Sequence, residues 1–148
     1  MTRTEDGFVA DAMLGKLVTY MRMAGYDVVY APDEGAVEDD EVARLAEDTG
    51  RVLLTRDVEL AESTDGFLLE SKQVKEQLRE LAEAGFSFEL SEPLRCSVCN
   101  GTLTEVDDTE ASDDVPDDIE RAWRCDDCGK TYWRGSHWDD VGDTFEKL

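Results

Sequence analysis

The sequence predicts an α/β fold: a small parallel sheet flanked by helices, followed by a C-terminal zinc ribbon. Three observations predict it. Up to about residue 90, apolar runs with strand-like and helix-like spacing alternate four times. Beyond that point all four cysteines fall into two close pairs, Cys96-x2-Cys99 and Cys125-x2-Cys128. Pro93 begins the zinc module, which divides the chain into residues 1–90 and 91–148.

The elements follow in order. Phe8-Val9-Ala10 is a short apolar strand ending at Asp11. Ala12-Met13-Leu14-Gly15 leads into a helix with Leu14, Leu17, Val18 and Met21 on one face, stopped by Gly25. Tyr26 to Tyr30 reads as the second strand, and Pro32-Asp33-Glu34-Gly35 as a loop. Asp39 can cap a helix whose apolar face holds Val42, Leu45 and Ala46, and Thr49-Gly50 ends it. Arg51 to Thr55 is a strongly apolar strand, and Asp57 opens a short helix through Leu60. Gly66 to Glu70 is a fourth strand. Val74, Leu78, Leu81 and Ala82 mark the next helix, which ends at Gly85. Such alternation favours parallel strands with helices on both faces.

Two Cys-x2-Cys pairs present four soft thiolates that can converge tetrahedrally, the arrangement that holds zinc. Gly129 after the second pair suits a tight knuckle, and Asn100-Gly101 stands in the same place after the first. A closed four-thiolate site leaves no position for substrate, so its role is structural. An acidic insert, about 107–120, interrupts the ribbon and reads as a solvated loop.

The formal net charge is −22, spread along nearly the whole chain, with Lys scarcer than Arg. Polyanions repel phosphate backbones. Dispersed acidity of this kind matches a salt-loving cytosol, where the screening length is about 3 Å. On that reading charge does not exclude nucleic acid. An acidic partner-binding protein or nucleic-acid mimic is the rival. The first residues, Met1 to Asp6, lack a signal pattern, and no apolar run reaches membrane-span length. A cytoplasmic protein away from membranes is expected.

In an open parallel sheet the carboxyl ends of the strands face one crevice. Asp11 ends the first strand, Asp57 follows the third, and Asp39 opens the intervening helix at the same edge. Like charges gathered there need a cation, and oxygen ligands suit magnesium or manganese. Such an ion can activate water and stabilise a phosphoryl transition state. Glu59 is a fourth ligand or positions a water, and Thr55 can order Asp57. Each acid also has a plainer role as a cap or surface charge. Lys16, Arg22 and Arg56 are the nearby bases, open to phosphate or to ion pairing.

The tail Lys130 to Trp138 alternates aromatic and basic groups. Trp133 can stack on an unpaired base while Arg134 meets phosphate. The same aromatic residues can equally glue the ribbon to the first domain. His137, the sole histidine, is a phosphate contact, a base or a structural hydrogen-bonding group.

Four segments together resemble one family: Asp11-Ala12-Met13-Leu14-Gly15-Lys16-Leu17, Met21-Arg22-Met23-Ala24-Gly25-Tyr26-Asp27, Leu53-Leu54-Thr55-Arg56-Asp57 and Tyr132-Trp133-Arg134-Gly135-Ser136-His137-Trp138. With the two cysteine pairs they resemble the Mut-seven C-terminal ribonuclease family, in a haloarchaeal-type member. The resemblance implies a PIN-like nuclease domain fused to a zinc ribbon, acting on single-stranded or structured RNA with a divalent metal. It places the family's acids on Asp11, Asp39 and Asp57, with Glu59 as the following acidic position. It puts Arg22 in a family segment on the first helix. The competing expectation is a non-catalytic zinc-ribbon module that binds nucleic acid or the ribosome.

Overall fold

The computed structural model of the chain describes residues 7–90, 94–106 and 121–148. Asp6, Pro93, the acidic insert 107–120 and the side chain of His137 lie outside the described residues.

The strands are β1 (Phe8–Ala10), β2 (Val28–Tyr30), β3 (Val52–Thr55) and β4 (Phe67–Leu68), all parallel, in the order β2-β1-β3-β4. Phe8 pairs with both Val28 and Val52, so β1 is central, and its three residues are fully buried. Side chains of a strand alternate between faces. Phe8, Ala10, Val28 and Leu54 face α1 (Gly15–Met23) and α4 (Val74–Glu83). Val9 and Leu53 face α2 (Asp39–Thr49) and α3 (Val58–Thr64). The expected helices on both faces are present, and near-continuous apolar strands are what a doubly covered sheet requires.

Local details differ from the sequence reading. Helix α2 is capped by Glu38, not Asp39: Glu38 and Glu41 form a reciprocal capping box, and Asp39 is the first helical residue, exposed. The loop read at Pro32 to Gly35 contains a 3-10 turn over Ala31–Glu34. Strand β2 starts at Val28, because Tyr26 turns into the core and its hydroxyl donates to the Ser87 carbonyl at 2.7 Å. Helix α3 runs past Leu60 to Thr64.

The second part contains β5 (Leu103–Val106), β6 (Ala122–Cys125) and β7 (Thr131–Tyr132) in an antiparallel sheet of that order. It ends in a helix the sequence reading did not assign, α5 (Ser136–Glu146). Val141 and Phe145 of α5 are buried in the same cluster as α1. The Phe145 ring lies 6.1 Å from Tyr20 and 5.5 Å from Phe88. The spacing of Trp138, Val141 and Phe145 was the available signal. Residues after α4 contribute too, with Phe86 5.5 Å from Phe8 and Phe88 5.6 Å from Tyr26. Among the described residues no helix is long and apolar enough to cross a membrane.

Phe145→Ala should lower stability by about 3 kcal/mol, the usual cost of emptying an aromatic site in a core. Urea titration followed by far-UV circular dichroism checks this. An unchanged midpoint would show that α5 does not support the sheet.

Candidate functional site

The chain reverses direction around β1. The β1-to-β2 connection runs through α1 on one face, and the later connections run through α2 and α3 on the other. The carboxyl ends of neighbouring β1 and β3 therefore feed helices on opposite faces, which opens a crevice between them. Asp11 and Asp57 stand there. Asp11 is 5% exposed; its Oδ1 accepts from the Ala12 amide at 2.8 Å and its Oδ2 from the Thr55 hydroxyl at 2.8 Å. Thr55 is fully buried, and its Oγ1 also accepts from the Asp57 amide at 3.1 Å. Asp57 caps α3 through Oδ1, which accepts from Leu60 N at 3.2 Å. A hydrogen-bonded line thus runs from Asp11 through Thr55 to Asp57.

The other expected residues lie around this line. Asp39 is exposed at the opening of α2, and Glu59 is exposed in the first turn of α3. Lys16 is exposed at the start of α1. Arg56 is half-buried; its Nη2 donates to the Glu70 carbonyl at 3.4 Å, and its buried Nε has no partner among the described residues. The three acids do not converge on one point. Among the described residues the one group of three or more such ligand atoms within 4.8 Å of one another is the four cysteines. Asp11 and Asp57 are committed to local hydrogen bonds.

Arg22 departs most from expectation. The sequence suggests a base near the rim, but Arg22 is 3% exposed inside the molecule. Its Nε and Nη2 donate to the Val28 carbonyl at 2.9 and 2.8 Å, and its Nη1 to the Ser97 and Val98 carbonyls at 3.0 and 3.1 Å. Burial lowers its pKa, with Asp33 and Cys96 opposing the shift. Its donors are spent on backbone, so it ties strand β2 to the turn of the first cysteine pair. Asn100 makes a second tie: its Oδ1 accepts from Val28 N at 3.0 Å, and its Nδ2 donates to Asp27 Oδ1 at 2.6 Å. Asp27 also holds Arg51 through two hydrogen bonds, at 2.7 and 3.1 Å. The ties from Arg22 to Ser97 and Val98 and from Asn100 to Asp27 and Val28 each join residues more than 70 positions apart, so no local pattern reveals them.

The four sulfurs form a compact donor set. Cys96 and Cys125 are buried, while Cys99 and Cys128 are exposed. Asn100 and Gly129 end the two knuckles with φ of 71° and 79°. At Gly101 a Cβ would lie 2.7 Å from Cys125 Sγ, so only glycine lets the knuckles close. The Asp127 and Cys128 amides donate to Cys125 Sγ, both at 3.4 Å. Burial raises the Cys96 thiol, but hydrogen bonds from Tyr132 and the Cys99 and Val98 amides outweigh it and bring it down to about 7. Burial and the neighbouring sulfurs push Cys99 up to about 12. An easily ionised Cys96 beside a reluctant Cys99 is what a divalent cation resolves, by stabilising the thiolates. The cluster is compatible with a structural zinc site, and these residues fit that ion.

The tail residues are divided. Trp133 is half-buried, and exposed Arg134 lies over the buried Trp123 ring, 5.6 Å from its centroid. Arg121 sits on the same ring at 4.9 Å.

Elemental analysis should find one zinc per chain, with sulfur distances of about 2.3 Å by X-ray absorption. Reduced protein without metal would contradict this. Arg22→Met should cost about 3 kcal/mol, because buried carbonyls of β2 and the knuckle lose their donors; calorimetry checks it. Asp27 adds an acid-sensitive term. Burial raises its pKa, but Arg51 and Asn100 outweigh that and set it below the ordinary 3.8. Its contribution is therefore complete above the ordinary value and is lost as pH falls through the lowered folded one. Asp27→Asn should remove part of the acid limb of a stability–pH profile, on the order of 1 kcal/mol for a partly exposed pair.

No curated protein and no solved structure matches this chain. The family model described as the Mut7-C RNAse domain matches residues 6–145. That match takes in the sheet and the ribbon alike, and the chain belongs to the Mut7-C RNAse domain family.

Proposed function

We propose that this chain is a divalent-metal-dependent ribonuclease whose reacting centre is the rim between β1 and β3. The observation that carries this reading is the hydrogen-bonded line from Asp11 through Thr55 to Asp57 at the switch point of a ribonuclease-family sheet. Hard carboxylate oxygens suit magnesium or manganese. The donor set has room for such an ion: Asp57 Oδ2 has no partner among the described residues, and each Asp11 oxygen accepts one hydrogen bond. Bound there, the ion supplies Lewis acidity toward phosphate and a lowered water pKa.

The chain's own residues do the rest. Asp11 is the fixed ligand, since Thr55 and the Ala12 amide hold its carboxylate in one orientation. Asp57 is the adjustable one, and Asp39, exposed at the opening of α2, joins them only if its side chain turns toward the rim. Glu59 orients the attacking water. Lys16 and Arg56 offset phosphate charge. Zinc in the ribbon is structural. The setting is cytoplasmic, and the dispersed acidity is an adaptation to high salt, testable as stability that rises with KCl.

Asp57→Asn removes a ligand charge at nearly constant volume. It should abolish cleavage of single-stranded RNA and leave the melting profile in place. Thr55→Val should cost about 10–100-fold, as for a residue that orients a ligand. Asp40→Asn should be mild. Chelation of the divalent ion should stop cleavage, and added magnesium or manganese should restore it. Wild-type cleavage by Asp57→Asn at saturating RNA would sink the proposal and favour a non-catalytic nucleic-acid module.

A further inference from the structure

A cleft of about 300 Å³ lies between the end of α1 at Met23, the first knuckle at Arg95 and Ser97, and the run from β7 into α5. Its size is at the lower end for small-molecule sites, about 300–1,000 Å³, which suits one heterocycle. Tyr132, Trp133 and Trp138 line it, and their rings make flat apolar walls. Its charge is unlike that of the chain. Acids make up 37 of 148 residues, yet none of the eleven lining residues is acidic, and two are the cations Arg95 and Lys130. The Lys130 ammonium sits 5.2 Å from the Tyr132 ring centroid and has no carboxylate partner among the described residues. At Gly135 a Cβ would come 3.0 Å from Trp133 Nε1, so glycine lets the indole lie against the backbone.

We propose that this cleft is a subsite for one unpaired nucleobase of an RNA strand, with the adjoining phosphate facing Lys130. This rests on the ribonuclease reading above and names a part of that substrate bound away from the reacting centre. Aromatic faces stack any base, and a cation beside them meets the backbone. An acid-free aromatic cleft in an otherwise acidic molecule favours an anionic strand. The position adds a length requirement. Gly15 opens α1 near Asp11, and Met23 lies at the other end, about 12 Å along the helix axis. One strand must therefore span several nucleotides to fill both places.

The test uses the full zinc-loaded chain without magnesium or manganese, so that binding is read apart from cleavage. An end-labelled single-stranded 2′-O-methyl oligonucleotide is titrated at fixed KCl and followed by fluorescence anisotropy. Trp133→Ala and Lys130→Glu should each weaken binding about tenfold, the worth of roughly one stacked base. Trp133→Phe should restore most of the affinity. Ser136→Tyr plugs the cleft from the exposed start of α5 and should weaken binding equally; it decides the matter if Trp133→Ala does not fold. Wild-type affinity in the plugged variant overturns the subsite and leaves the cleft to a protein contact. If unmodified RNA is still cleaved with magnesium in that case, the ribonuclease reading stands. Cleft-dependent binding without any cleavage by the wild-type chain overturns the ribonuclease reading instead.

Discussion

One buried guanidinium holds the two parts of this chain together. Arg22 projects from α1 and reaches the carbonyls of Val28 in the sheet and of Ser97 and Val98 in the first knuckle. A buried cation is costly unless every face of it is hydrogen-bonded, and a buried carbonyl is costly without a donor. Each solves the other's problem here. Asn100 reinforces the contact by occupying the Val28 amide. The position of β2 and the shape of the knuckle are therefore one constraint.

The parallel sheet gives the molecule two chemically different ends. Asp11, Thr55 and Asp57 stand at its carboxyl edge, with hard oxygen donors. The ribbon docks at the amino edge, where Arg22 and Asn100 meet the start of β2, and its donors are soft sulfurs. Ligand preference follows hardness, so the two ends differ in the ions they suit. Helix α1 runs from one end to the other, from Gly15 beside the rim to Met23 beside the ribbon.

Much of this was legible in the sequence because it is local. Apolar alternation placed the four strands, Gly25 and Gly50 marked helix ends, and both cysteine pairs announced their knuckles. Asp11 and Asp57 were recognisable because each follows a buried strand. What was not legible depends on contacts made at long range. Arg22 reads as an exposed base on a helix until the knuckle closes over it. Glu38 takes the cap in place of Asp39 because Glu41 stands three residues on, a reciprocal pair that a run of acids conceals. The aromatic tail reads equally as binding or packing, and what no reading of it showed is that α5 carries Val141 and Phe145 back into the core beside α1.

The return of α5 to the first core has a consequence for how the chain acquires its structure. Phe145 meets Tyr20 across nearly the full length of the sequence. Contacts of such separation form late, since the intervening chain must lose its freedom first. On the ribosome, α1 and the strand beside it emerge long before their covering helix exists. Until then the faces of Tyr20 and Phe88 are open to water, and the nascent chain displays the kind of apolar surface that chaperones hold and proteases sample. The region made first is thus completed last, and maturation of the sheet waits on synthesis of the helix that follows the ribbon.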